Sequence, residues 1–93
     1  MKHHAWSPQK NEAQKALRGI GFEDVVFYIE SGHLLDIVSH PNQAKYPGQE
    51  VYVLDVEGYA YLVPFVEADE EVFLKTIIPT RKATQHYLEA NDD

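Results

Sequence analysis

The chain has 93 residues, 44% of them apolar, which is enough for one small domain and leaves no room for a second core. It contains no cysteine, so the composition excludes disulfides, thiolate zinc sites and cysteine nucleophiles. No apolar run approaches the roughly 20 residues of a membrane helix, and the first residues lack the apolar core of a secretion signal. We therefore expect a soluble, cytoplasmic protein with no membrane segment.

The net charge of −7 argues against nucleic-acid binding, because phosphate neutralisation supplies most of the affinity of such proteins. Only eight residues are Lys or Arg. Five of them fall into two groups: Lys10, Lys15 and Arg18 near the start, and Arg81 with Lys82 near the end. The acids lie elsewhere, notably in residues 67–71. The sequence is therefore compatible with a local basic cleft, and equally with a basic protein partner for the acidic surface.

Apolar residues at helical spacing predict two N-terminal helices. The first, over residues 8–18, follows the N-cap residue Ser7, starts at Pro8 and can end at Gly19. Its apolar positions are Ala13, Ala16, Leu17 and Ile20. The second, over residues 22–31, has apolar positions that we expect to be buried against a sheet, namely Phe22, Val25, Val26 and Ile29.

From Leu34 the apolar period changes to two, which is typical of strands. Four strands are predicted, over residues 34–38, 51–56, 59–66 and 72–78. Glu57-Gly58 has the spacing of a two-residue hairpin, and Pro64 indicates either a bulge or an outward-facing position without an amide. After Pro79, Thr80 is predicted to cap a last helix that ends at about Leu88 or Ala90.

This order of elements predicts a single α+β domain over residues 1–93. It consists of two N-terminal helices, a four-stranded antiparallel meander sheet and a C-terminal helix, with the helices packed against one face. The other face of the sheet would then be open to solvent or to a partner.

Four segments resemble the BrnT family of bacterial ribonuclease toxins. They are Trp6-Ser7-Pro8-Gln9-Lys10, Arg18-Gly19-Ile20-Gly21-Phe22-Glu23-Asp24, Gly48-Gln49-Glu50-Val51-Tyr52 and Ile77-Ile78-Pro79-Thr80-Arg81-Lys82-Ala83-Thr84. The resemblance implies a fold similar to that of the RelE group of small toxins. Two departures concern activity, since Val51 and Thr76 stand where the family often has arginine. Both changes remove positive charge from the expected cleft.

The resemblance implies metal-independent RNA cleavage, without a cofactor or a metal site. This chemistry needs a base for the 2′-hydroxyl proton, cations for the crowded phosphorane and an acid for the leaving oxygen. The candidate catalytic residues are Arg81, Lys82, His86 and Lys75. Arg81 and Lys82 open a helix, where free backbone amides already favour phosphate. Lys75 would lie on an active face if Phe73 and Ile77 point away from the helices.

The candidate RNA-binding residues are Lys10, Arg18, Trp6 and His40. Either His40 or His86 is a candidate for proton exchange near neutral pH. Each of these residues also has a plain structural alternative. The cations can be solvated or paired with acids, the histidines can be surface residues without a role, and Trp6 can be a core residue.

The resemblance also implies a partner, a cognate antitoxin that is a basic ribbon-helix-helix protein, in a homodimer or heterotetramer. The candidate partner-binding residues are Tyr52, Tyr59, Tyr61, Glu70 and Glu71. With Phe65, the tyrosines are more aromatic residues than one core face is expected to hold. The leading interpretation is the toxin component of a type II toxin–antitoxin pair. The alternative is a catalytically silent BrnT-like binding module in a protein or regulatory complex.

Overall fold

The computed structural model describes residues 2–89, which form an α+β fold around one mixed sheet. Its elements in chain order are β1 (His3–Ala5), α1 (Pro8–Arg18), α2 (Phe22–Glu30), β2 (Leu34–Ser39), β3 (Glu50–Val56), β4 (Tyr59–Glu67), β5 (Glu71–Leu74), β6 (Ile78–Pro79) and α3 (Arg81–Thr84). A π-helical turn, Gln85–Glu89, continues α3, and the alternative helix end at Ala90 lies outside the described residues. Among residues 2–89, no helix has the length and apolar character needed to cross a membrane.

Both N-terminal helices begin and end where local signals place them. The Ser7 hydroxyl accepts a hydrogen bond from the Lys10 amide (3.3 Å), and α1 ends before Gly19, whose φ of 72° is left-handed. At the start of α2 the Asp24 carboxylate accepts from the Gly21 amide (2.8 Å). The predicted boundaries are confirmed for α1, and α2 ends one residue earlier than predicted.

The antiparallel meander is confirmed for β2, β3 and β4. Glu57 (φ 54°) and Gly58 (φ 88°) form the two-residue turn between β3 and β4, so Val56 pairs directly with Tyr59. Positive φ at both turn positions matches the right-handed twist of the paired strands.

The prediction of a purely antiparallel, four-stranded sheet is wrong, because β1 adds a parallel strand beside β5. The sheet order is β1-β5-β4-β3-β2, with β6 also paired to β4. A three-residue strand is too short for an alternating pattern to show, so the sequence gives no sign of β1.

The predicted last strand, over residues 72–78, is interrupted opposite Pro64. Phe65 pairs with Leu74 and Leu62 pairs with Ile78, so three steps along β4 match four steps along the partner. One extra residue is therefore inserted between β5 and β6, as in a β-bulge. The expected bulge is not in the strand of Pro64, since β4 pairs regularly with β3 through that residue; the extra residue lies in the neighbouring strand instead.

The sheet is covered on both faces, so the expectation of helices on one face only is wrong. The face that packs against α2 contributes Tyr52, Leu54, Val63, Phe65, Val72 and Leu74 to the core. Phe22 and Val25 of α2 are buried there, with Val26 and Ile29 packed at the edge of the core, as predicted. On the opposite face, α3 covers β4, and the Tyr87 hydroxyl donates to Asp36 of β2 (2.7 Å).

Helix α1 has its polar side turned inward, contrary to its apolar pattern. Leu17 is 72% exposed, and Ala13 and Ala16 are exposed as well, whereas Asn11 is only 4% exposed. The Asn11 side chain accepts from the Phe22 amide (2.7 Å) and donates to a Glu23 carboxylate oxygen (2.9 Å). The helix is thus held by hydrogen bonds to the start of α2 rather than by an apolar stripe.

This attachment predicts that Asn11→Ala lowers the free energy of unfolding by about 2 kcal/mol, because the buried Phe22 amide loses its acceptor. Urea unfolding followed by circular dichroism measures the change. Gln9→Ala is the matched control, since Gln9 is an exposed amide side chain of the same helix and should change stability by less than about 0.5 kcal/mol. Equal stability of the Asn11 variant and the wild type would contradict the inferred role.

Candidate functional site

One pocket gathers three of the residues that the sequence suggested for RNA binding and catalysis. It has a volume of about 280 Å³ and contains Lys10 from α1, His40 from the loop after β2, and Lys75 from the break between β5 and β6. The rest of its lining consists of Tyr46, Gln49, Pro64, Thr76 and Ile78. These residues come from distant parts of the chain, so only the fold brings them together.

The interruption opposite Pro64 accounts for the position of Lys75. The Lys75 amide donates to the Pro64 carbonyl (2.8 Å), so the backbone groups of Pro64 face the β5–β6 side. Proline has no amide hydrogen to offer on that side, and the partner strand leaves regular pairing there. As a result, Lys75 is exposed beside the pocket, with its ammonium 5.7 Å from the centre of the Phe73 ring. Ile77, in contrast, turns into the core.

His40 is held in one orientation by the loop that carries it. Its Nδ1 accepts a hydrogen bond from the Asn42 amide (3.0 Å), and its own amide donates to the Gln49 carbonyl (2.9 Å). Its ring lies 4.4 Å from the ring of Tyr46. Because Nδ1 accepts, the neutral imidazole carries its proton on Nε2. His40 therefore presents a hydrogen-bond donor to the pocket.

Gln43 closes the same loop, although it was not among the candidate residues. Its amide nitrogen donates to the carbonyls of His40 (2.9 Å) and Gln49 (3.1 Å), and its amide oxygen accepts from the Gly48 amide (3.1 Å). The turn formers in this segment indicated a loop, but no local pattern indicated that a glutamine ties its two ends together.

Thr76 adds a hydroxyl to the pocket wall. The Gln14 side-chain nitrogen donates to Thr76 Oγ1 (3.0 Å), so the hydroxyl hydrogen is free to point elsewhere. Gln14 is only 9% exposed, and its Oε1 has no hydrogen-bond partner among the described residues. The Thr76 hydroxyl thus offers the pocket a hydrogen-bond donor.

Among residues 2–89, no carboxylate lines the pocket, although the whole chain has 15 acids. Within residues 2–89, neither Lys10 nor Lys75 forms a salt bridge, whereas Lys2 is paired with Glu67 (2.8 Å). Lys15 is likewise paired with Glu23 (3.2 Å), and this hydrogen-bonded contact raises the pKa of the Lys15 ammonium. The two unpaired lysines give the pocket a local positive charge, which suits an anion.

Arg81, Lys82 and His86 do not line this pocket. The Thr80 amide donates to the Ala60 carbonyl (3.1 Å), so α3 starts at the Ala60 end of β4. Ala60 and Pro64 are about 13 Å apart along the strand at the usual rise per residue. The π-helical turn also begins at Gln85, so the α-helical spacing that placed Lys82 and His86 on one face does not continue to His86.

Arg18 and Trp6 also lie away from the pocket. Arg18 is about 12 Å from Lys10 along α1 and borders a separate pocket that contains the acids Asp24 and Glu57. Trp6 is half-buried, and one face of its ring stacks on Phe22 at 5.8 Å. The structural alternative for Trp6, a residue packed against the core, matches this position.

The expectation that Tyr52, Tyr59 and Tyr61 lie on an uncovered sheet face is wrong. Strand alternation places all three on the face covered by α2. Tyr52 is 8% exposed and stacks on Phe65 at 4.1 Å, and burial raises the pKa of its phenol. Tyr61 is half-buried against the core, while Tyr59, at the end of its strand, is 36% exposed.

The two acids proposed for partner binding lie at the edge of the sheet. Glu70 is exposed, and its carbonyl accepts from the His3 amide (3.3 Å). Glu71 is half-buried, and its carboxylate lies 3.7 Å from the His3 imidazole. Val51 is buried and pairs with Pro64.

The chain was compared with protein-family models, with curated proteins and with solved structures, and none of them matches it. Its relation to the BrnT family is therefore a proposal, supported by the four sequence segments.

The loop geometry predicts which tautomer His40 adopts. Because Nδ1 accepts from the Asn42 amide, the neutral ring should carry its hydrogen on Nε2. Long-range proton–nitrogen NMR at alkaline pH measures the tautomer directly. His86 is the internal comparison, since its ring nitrogens make no hydrogen bond within residues 2–89. A hydrogen on Nδ1 of His40 would contradict the inferred donor.

Proposed function

We propose that the chain is a BrnT-like toxin of a type II toxin–antitoxin pair, acting as a metal-independent endoribonuclease. The observation that carries this proposal is a pocket that combines Lys10, His40 and Lys75, with no carboxylate from the described part of the chain in its lining. A phosphate diester is the anion that suits such a site, because two ammonium groups and an imidazole N–H can all donate to its oxygens.

In this proposal the scissile phosphate lies between Lys10 and Lys75. Attack of the ribose 2′-oxygen on phosphorus forms a cyclic phosphate as the bond to the 5′-oxygen breaks. The two ammonium groups stabilise the charge that develops on the phosphorane, and one of them protonates the leaving 5′-oxygen. His40 donates to a non-bridging oxygen through Nε2. The 2′-hydroxyl proton passes to water, since none of the described residues brings a carboxylate to the pocket lining.

Single-stranded RNA is the proposed substrate. The Tyr46 ring is 37% exposed at the pocket and can stack on an unpaired base. The Lys45 ammonium lies 5.4 Å from the centre of that ring, so a third cation lies near the proposed path of the RNA backbone.

The partner in this proposal is a basic antitoxin, in keeping with the net charge of −7. The catalytically silent binding module is the second candidate. It is supported by the positions of Arg81, Lys82 and His86, which lie outside the pocket and leave it without a second proton-transfer group. In that case the pocket would bind an RNA phosphate without cleaving it.

Cleavage should depend on Lys75 more than on the two cations of α3. We expect Lys75→Gln to lower the rate by about 100-fold, because it removes a cation from the developing phosphorane. The rate is measured on a labelled single-stranded RNA, in the presence of a chelator, with protein free of any partner. Lys2→Gln is the matched control, because it also removes one positive charge, from a surface pair with Glu67.

The double variant Arg81→Ala, Lys82→Ala tests whether cleavage takes place in the Lys75 pocket or at the start of α3, where the sequence suggested it. Cleavage that persists in this variant but is lost in Lys75→Gln supports the pocket. Loss in the double variant alone would move the site to α3. No cleavage by the wild-type protein would favour the silent module.

The affinity for RNA should also fall with salt concentration, with a slope that depends on the number of lysines that contact phosphates. Two phosphate contacts predict a slope of about −1.4 for log K against log salt on single-stranded RNA. Lys75→Gln should reduce that slope by about 0.7, whereas Lys2→Gln should leave it unchanged. Fluorescence anisotropy over a salt series measures both values, with a cleavage-resistant oligonucleotide. Identical slopes for the two variants would remove Lys75 from the phosphate contacts.

A further inference from the structure

A second and larger groove lies between β1 and α2, away from the Lys75 pocket. Its volume is about 510 Å³. Trp6, Val26 and Ile29 form an apolar floor, and the rim carries Lys2, His3, His4 and Glu30. The proposed RNA chemistry uses none of these residues.

The backbone of β1 has an open side next to this groove. The His3 amide donates to the Glu70 carbonyl, so the backbone groups of His3 point towards β5. Since alternate residues of a strand point to opposite sides, the amide and carbonyl of His4 point outward. β1 is the outermost strand of the sheet, and no other strand within residues 2–89 pairs with its outer side.

The groove and its surroundings favour positive charge in an occupant. Glu30 lies at the rim and forms no salt bridge within the described part of the chain. The charge of Lys2 is already matched by Glu67. Burial lowers the pKa of the His4 imidazole, which favours its uncharged form. Behind β1, the turn between β4 and β5 adds Asp69 and Glu70, and Glu71 follows at the start of β5.

We propose that this groove binds an extended, basic segment of a partner protein, which pairs with the outer side of β1 and inserts an apolar side chain onto the floor formed by Trp6, Val26 and Ile29. Strand addition supplies backbone hydrogen bonds, and the apolar pocket selects one side chain of the segment. Basic residues on either side of that anchor meet Glu30 and the acids of the β4–β5 turn.

The opposite edge of the sheet is less suited to strand addition. β2 carries a register shift between Leu34 and Asp36, which distorts the edge. Asp36 is also occupied by the hydroxyl of Tyr87. Charge at an edge strand is a common means of preventing pairing with another chain. β1 has no such charge of its own, since His3 and His4 are its only titratable residues.

The test uses the synthetic peptide acetyl-Lys-Val-Lys-Leu-Lys-Val-Lys-amide, titrated into the full-length, isotopically labelled protein. Two-dimensional amide NMR should show saturable shifts in residues 2–6 and 26–30. Two control peptides isolate the two parts of the proposal. One has Glu in place of every Lys, and the other is N-methylated at every residue, which removes the amide donors from both of its edges. Both should bind at least ten-fold more weakly.

Two pairs of protein variants then locate the contacts. Ile29→Ala should weaken peptide binding by about ten-fold, while Ile37→Ala, on the β2 edge, should leave it unchanged. Glu30→Gln should weaken it by about three-fold, while Glu89→Gln, which removes the same charge elsewhere, should not. Thermal unfolding of each variant shows that the fold persists.

Several results would overturn the proposal. They are the absence of shifts at millimolar peptide, shifts centred on β2 or on the Lys75 pocket, and equal binding of either control peptide. Self-association of the chain through this groove, seen by sedimentation, would assign the surface to a second copy instead. None of these outcomes depends on RNA cleavage, so the two proposals can fail separately.

Discussion

The missing amide hydrogen of Pro64 constrains much of this fold. Pro64 lies in β4, which has a neighbouring strand on each side, and its backbone faces the β5–β6 side. A regular partner strand would meet a position there that cannot donate. The partner instead inserts one residue between β5 and β6, and the alternation of its side chains changes. Val72 and Leu74 face the core before the insertion, and Ile77 faces it afterwards.

That change in alternation links the core to the candidate site. The insertion leaves Lys75 exposed and brings Thr76 to the Gln14 side chain of α1. It also brings the following residues back beside β4. The Thr80 amide then donates to the Ala60 carbonyl, and α3 starts at the next residue. A single proline thus influences the pocket, the contact with α1 and the cover of the second sheet face. Bulges beside functional sites commonly re-aim a side chain in this way.

Local signals in the sequence sufficed for the ends of α1 and for the β3–β4 turn, but not for β1, for the break in the last strand or for the faces that the elements bury. Ser7, Gly19 and Glu57-Gly58 act through their own backbone conformations, so they could be interpreted without the rest of the chain. The inward side of α1 depends on hydrogen bonds from Asn11 to the start of α2, which no periodicity reveals. The candidate site was likewise only partly predictable from the sequence. Lys10, His40 and Lys75 were each candidates on their own. Their common pocket depends on the bulge and on the loop that Gln43 closes, which no local pattern reveals.

The acidic composition and the positive pocket are compatible because charge acts locally in water. The Debye length is about 8 Å at physiological ionic strength, so acids farther away are largely screened. Two acids that flank the β4–β5 turn lie near the β1 edge, where Glu67 is paired with Lys2 and the Glu71 carboxylate lies 3.7 Å from the His3 imidazole. Glu23 engages Lys15 on the side of α1 that faces α2. Lys10 and Lys75 are left without an acidic partner in the described chain, and net charge alone therefore does not decide whether this protein can bind a phosphate.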